Sequence, residues 1–227
     1  MKNIIILFIC ATFTGCGPTY YAPNTQNVPI MENQGQTNLS IGLNSSQFTE
    51  GVELQGAYGL TDNLALQLNT DWVKSSEGFS NGSGNFVELG AGYYKNVSKH
   101  FIFETYGLLG LGSLKYKETE EIKANFVRYG LQPSFSFNSN YFSASLSGRL
   151  VNLNYTSVSG THNDVAYLKA NNSYWIIEPA ITLQGGFEDF KLMLQFQISE
   201  NLTDHNFSQE YVLISLALKF NINPEKN

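Results

Sequence analysis

"LALQLNTDW", Leu64 to Trp72, is the stretch that decides the fold. Leu64, Leu66, Leu68, Thr70 and Trp72 fall on one face of an extended chain. Ala65, Gln67, Asn69 and Asp71 fall on the other. This alternation marks a strand with two unlike faces. The scheme recurs along the chain. Val52 and Leu54 oppose Glu53 and Gln55; Leu192, Leu194, Phe196 and Ile198 oppose Met193, Gln195, Gln197 and Ser199. Near the end, Val212, Ile214, Leu216, Leu218 and Phe220 oppose Tyr211, Leu213, Ser215, Ala217 and Lys219. Ten such segments begin near Thr37, Gly51, Leu64, Asn85, Phe101, Ala124, Tyr141, Ser173, Phe190 and Gln209. Most run about 9–13 residues, beyond the usual globular strand and suited to a tilted strand crossing a bilayer.

The connections alternate in length. "LTDN", "NVSKH", "NSN" and "GGFED" are short turns, whereas "KSSEGFSNGSG", "KYKETEEIKA", "TSVSGTHNDVAYLKANN" and "ENLTDHNFS" are long and polar. The first connection, "NSSQFTE", falls on the long side. An antiparallel meander places all odd connections at one end and all even ones at the other. Membrane barrels show this asymmetry, with short periplasmic turns and longer extracellular loops. The expected fold is therefore all-β, a ten-stranded antiparallel up-and-down transmembrane barrel, with an even strand count that returns both termini to the periplasmic end.

A soluble barrel with its apolar residues inside is the rival. The apolar phase carries no charge in any of the ten segments. The other phase holds Glu53, Asp71, Glu88, Glu104, Arg128, Arg149, Glu178 and Lys219. Aromatics gather at strand ends: Trp72, Tyr93, Phe101, Phe103, Phe135, Phe137, Phe142, Trp175 and Phe220. That distribution matches interfacial girdles and favours lipid outside. The eight charged residues are then a lumen network, the acids pairing with Arg128, Arg149, Lys219 and polar groups. A ten-strand lumen lies near the size that its own side chains fill. A narrow cation-preferring pore is the alternative reading, from the acidic excess. Pro133 and Pro179 fall inside strand patterns, where a bulge or local break is expected.

The first residues read as an export leader. Lys2 supplies the positive region and Ile4 to Phe13 the apolar one, a run too short to span a bilayer as a helix. Residues 1–15 are assigned to the leader, 16–35 to a lipidated Cys16 and a Pro-containing periplasmic tether, 36–222 to the barrel and 223–227 to a tail. Cys10 lies in the leader, so a lone Cys16 forms no internal disulfide or zinc pair. The chain has 13 Lys+Arg against 19 Asp+Glu, a net charge of −6, and no basic cluster, which argues against nucleic acid. No metal or other cofactor is expected.

The residues "FTGC" resemble a lipobox, with Cys16 as the acylated N-terminus. Together with "GCGPTYYAPN" and the ten-strand meander, the chain resembles the outer-membrane β-barrel lipoproteins of Bacteroidetes-type bacteria. The resemblance implies outer-membrane lipid and an N-terminal acyl anchor as partners. Surface-exported members tend to carry acids just after the cysteine. Here the first acid is Glu32, so the resemblance implies an inner-leaflet lipid. It implies little about activity. A structural or surface-interaction role, with an extracellular partner met by the long loops, is the expected function.

Two loop groupings invite an enzyme reading: His162 with Asp164, and Asp204 with His205. Omptin proteases are similar in strand number and in using Asp and His at the outer rim, where a carboxylate orients an imidazole. The resemblance ends there, and the expectation is no enzyme. His100, in a short turn, is read as interfacial.

Overall fold

The computed structural model describes residues 19–76, 81–117, 120–203 and 207–223. The leader, Cys16, Asp204, His205 and residues 224–227 lie outside the described residues. Ten wall strands follow the sequence pattern. They are β1 (Thr37–Ser45), β2 (Thr49–Gly59), β3 (Leu64–Ser75), β4 (Gly82–Ser98) and β5 (Phe101–Lys117). They continue through β6 (Glu121–Asn138), β7 (Phe142–Gly160), β8 (Ser173–Gly186) and β9 (Phe190–Ile198) to β11 (Val212–Ile222). A two-residue β10 (Glu200–Asn201) extends β9 along β8. Each wall strand is antiparallel to its neighbours, and β11 pairs with both β9 and β1. The sheet therefore closes, and no edge is left unpaired, as lipid requires.

The two phases separate as read. Leu39, Leu66, Leu89, Leu109, Leu131, Leu194 and Leu216 point outward and are exposed. Such a continuous apolar exterior belongs against hydrocarbon. Aromatics band it near the short turns, where Phe101 stacks on Phe135 at 5.5 Å and Phe190 lies 5.3 Å from Phe220. Nearer the long connections, Tyr129 meets Trp175 edge-on at 6.4 Å. From Leu64 to Trp72 the outward face spans about 26 Å of strand, the scale of an outer-membrane apolar band.

The two prolines disturb the ladder without shifting it. Pairing of β6 with β7 runs to Leu131↔Leu150 and resumes at Ser134↔Ser147 in the same register. Pairing of β8 with β9 starts at Ala180↔Gln197, and β10 continues it at Ile177↔Glu200. Gly148 is paired to Pro179 and stands opposite Pro133 in the β6–β7 register. A Cβ atom there would meet nothing within 4 Å. The local breaks anticipated at Pro133 and Pro179 are present. The bulges lie elsewhere, at Asn96/Ser98 and Asn125/Phe126.

Two features depart from the sequence reading. The long connection after β7 contains a helix, α1 (Asp164–Ala170), and not only loop. Its buried Val165 and Leu168 join Tyr116, Ile122, Leu153, Tyr155, Tyr174 and Phe207 in an apolar cap over the long-connection end. The second departure concerns residues 19–35, read as a periplasmic tether. Residues 20 to 31 instead run inside the barrel, nearly all buried. Tyr20 and Tyr21 sit in the apolar cap. Met31 sits against Tyr94 and Tyr106 near the short-turn end. Gly35, at φ 78°, turns the chain into β1, a conformation that glycine adopts without steric cost. Thr19 therefore stands at the long-connection end. Asn223 stands at the short-turn end, since Ile222 pairs with Thr37. The described chain ends lie at opposite ends of the barrel, not at one end as an even strand count by itself would place them. The even strand count holds; the threaded segment adds one more crossing.

Candidate functional site: the threaded lumen

An extended segment without a neighbouring strand exposes a donor and an acceptor at each residue, and both need partners when buried. The inward phase of the wall supplies them. Every carbonyl from Asn24 to Ile30 accepts a hydrogen bond from a side chain. Arg149 Nη2 donates to Asn24 O at 2.9 Å, Gln55 Nε2 to Thr25 O at 2.9 Å, and Gln195 Nε2 to Gln26 O at 2.9 Å. Gln132 Nε2 donates to Asn27 O at 2.7 Å. Lys219 Nζ donates to Val28 O at 3.2 Å and to Pro29 O at 2.7 Å. Gln36 Nε2 donates to Ile30 O at 3.2 Å. The donors are matched by acceptors: Thr25 N–H donates to Glu53 at 2.8 Å and Gln26 N–H to Gln195 Oε1 at 2.7 Å.

Glu104 closes the lower end. Ile30 N–H and Met31 N–H donate to its two carboxylate oxygens at 3.1 and 3.0 Å, and Tyr106 donates at 3.1 Å. Ile30 has φ 60°, unusual for a β-branched residue and costing of order 1–3 kcal/mol. That backbone turn aims two successive N–H groups at one anion, a small nest.

A charged cluster holds the upper half. Arg128 Nη2 bonds Glu88 at 2.8 Å, and its Nη1 and Nη2 donate to Tyr21 Oη and Asn24 Oδ1, each at 2.7 Å. Its guanidinium also lies 4.1 Å from the centre of the Phe86 ring, a cation–π contact. Arg149 Nε bonds Glu178 at 2.5 Å, and Tyr21 donates to the same carboxylate at 2.9 Å. The side chains of Glu88, Glu178, Arg128 and Arg149 are essentially free of solvent, which such charges tolerate only when paired and hydrogen-bonded.

All eight inward residues singled out from sequence are buried in the lumen. The structure brings Glu88, Glu178, Arg128 and Arg149 into one cluster. Glu53 and Asp71 meet through the Asn44 amide, which donates to both. Lys219 and Glu104 serve the threaded backbone directly. The sequence reading missed Tyr21, Asn24, Thr25, Gln26, Asn27 and Gln132; it put Gln55 and Gln195 on the polar phase without their role as amide partners. A signal existed: from Gly17 to Met31 the chain has no charged residue, odd for an external tether.

Two clefts enter from the two mouths and share no lining residue. One ends on Tyr21, Asn24, Asp71 and Arg128; the other ends on Pro29, Ile30, Gln184 and Lys219. Residues 25–28 separate them. At the upper rim, His162 Nδ1 accepts the Asp164 N–H at 3.1 Å, and the Asp164 carboxylate accepts from the Tyr20 hydroxyl. His100 sits in its short turn, beside Asn138 O at 3.1 Å. Among the described residues, no group of three or more His, Cys, Asp and Glu could hold a metal ion.

No family model matches the chain, and no curated protein does. Solved structures similar to it are outer-membrane barrels. An outer-membrane channel from Pseudomonas putida F1 is 14% identical over 87% of this chain and 100% of its own, with a TM-score of 0.46. The N-terminal β-barrel domain of OprF from Pseudomonas aeruginosa is 12% identical over 83% and 98%, with a TM-score of 0.42. The KdgM porin is 9% identical over 82% and 99%, with a TM-score of 0.43.

Two predictions follow from the cluster and the rim. Removing one member of a buried ion pair strands the other, so Arg149→Met is expected to lower unfolding free energy by roughly 3–5 kcal/mol. Adding Glu178→Gln should cost less than the sum of the two single changes; urea unfolding in lipid vesicles measures both. At the rim, Glu210 accepts the Phe48 N–H at 3.0 Å, and its own N–H donates to Tyr21 O at 2.9 Å. Burial pushes its carboxyl up from the usual range to about 7. The folded state then holds a proton that the unfolded state releases near pH 4.5. Stability of this strap is therefore full at low pH and lost as pH rises to about 7. Proteolysis around residues 207–211 should quicken from pH 5.5 to pH 8, and Glu210→Gln should flatten the dependence.

Proposed function

We propose that this chain is a self-sealed outer-membrane barrel, acylated at Cys16. It acts as a rigid platform whose long connections and apolar cap meet an extracellular partner. One observation carries the reading: residues 21–31 occupy the lumen from mouth to mouth, with their carbonyls held by wall side chains. A permanent pore would leave such inward donors to water, whereas here Gln55, Gln132, Gln195, Arg149 and Lys219 donate to the backbone of the threaded segment. The acidic excess that suggested cation passage is engaged by N–H groups, by Asn44 and by the two arginines. The rim His162 and Asp164 are tied to the α1 start and to Tyr20, an arrangement that pins a loop; no catalytic role is assigned.

Planar-bilayer conductance of the fraction whose gel mobility shifts on boiling tests the reading. The native barrel is expected to be silent. Deleting Tyr20 to Met31 should give discrete steps from the same kind of fraction. Steady native conductance that this deletion leaves unchanged would overturn the seal.

A further inference from the structure

The direction in which the lumen is threaded has a consequence for anchoring. Residues 21 to 31 cover about 33 Å when extended, enough to cross the apolar band of the wall. Their upper end is fixed to the long connections. Tyr20 N–H donates to Ser208 O at 2.9 Å, Tyr155 donates to Tyr20 O at 2.5 Å, and Tyr21 bridges Gln209 in parallel. Ser208 and Gln209 belong to the connection before β11, and Asp164, the partner of Tyr20, to the connection after β7.

The lower end is fixed to the short turns. Asn96 Nδ2 donates to Glu32 O at 2.9 Å, and Asn138 Nδ2 donates to the Glu32 carboxylate at 3.0 Å. Asn223 lines the same mouth, with Lys99 and His100. Chain direction is therefore unambiguous: Thr19 stands among the long connections, and Asn223 stands among the short turns. Beside Thr19 the apolar cap packs around Tyr20, Tyr155, Tyr174 and Phe207. Residues 25–28 fill the lumen between the two mouth clefts.

We propose that the barrel delivers its N-terminal extension to the face of the long connections, opposite the face that holds the C-terminal end, and that the extension anchors in the lipid leaflet of that face. Cys16 is three residues upstream of Thr19, a reach of about 11 Å at most. The anchoring half rests on the proposed acylation of Cys16; the sidedness half does not. With short turns in the periplasm, the anchored leaflet is the outer one. This is the reverse of the inner-leaflet placement that the late first acid, Glu32, suggested. The threaded segment would replace an export signal: the chain reaches the surface because the barrel closes around it.

The test inserts a specific protease site between Pro18 and Thr19 and an epitope after Asn227 in the otherwise native chain. Intact cells are treated with external protease, and only the heat-modifiable fraction is scored. Cleavage at the N-terminal site, with the C-terminal epitope protected until the outer membrane is permeabilised, is the expected result. Protection of both until permeabilisation, or accessibility of both in intact cells, would overturn the proposal. Acyl labelling is read separately with Cys16→Ser as control. Loss of label in Cys16→Ser supports the anchor. Expected sidedness without acyl label on the native chain would overturn the anchoring half alone, so its failure and that of the lipoprotein reading are told apart.

Discussion

A peptide backbone buried alone in a lumen must have its donors and acceptors met by side chains, because no strand lies beside it. The rest of this structure depends on that constraint. It accounts for the kinds of residue on the inward phase. Amides carry both a donor and an acceptor, so Gln195 both accepts from Gln26 N–H and donates to Gln26 O. Where two carbonyls follow one another, at Val28 and Pro29, a lysine serves both, and proline removes a donor that would need a partner. Where two N–H groups converge, at Ile30 and Met31, a carboxylate serves.

The same constraint ties sealing to closure of the wall. The segment precedes β1 directly and turns back at Gly35, beside the seam where β1 pairs with β11. Thr25 donates to Ser215 of β11 at 2.6 Å and its N–H to Glu53 of β2, linking the two sides of that seam. Buried charges that an empty lumen would leave to water become structural ones. The upper cluster of Arg128, Arg149, Glu88 and Glu178 gathers on Tyr21 and Asn24, so the threaded residues bring the two ion pairs together.

Much of the fold was legible. Period-two alternation found the ten wall strands, their two faces and the inward charges, because one face meets lipid and the other does not. Alternating connection lengths gave the meander. Boundaries at the long-connection end were less visible: β7 runs to Gly160 and α1 follows, since above the membrane inward positions such as Leu153 and Tyr155 turn apolar again and pack under a cap. The threaded segment was not legible as such. Tyr20 to Met31 has no alternation, because a chain surrounded on all sides has no outward face. Its prolines and lack of charge resemble a linker until the ring of donors around it is known. The pairing of Lys219 with backbone rather than with an acid was hidden for the same reason.

Amide hydrogen exchange at Thr25, Gln26, Ile30 and Met31, in the folded barrel, tests the account most directly. These four N–H groups donate to Glu53, Gln195 and Glu104 inside the lumen. Exchange as slow as that of the neighbouring wall strands is predicted, since release would require the barrel to open. Exchange as fast as that of an unbonded amide in a surface loop would contradict it, and would place the segment outside the lumen.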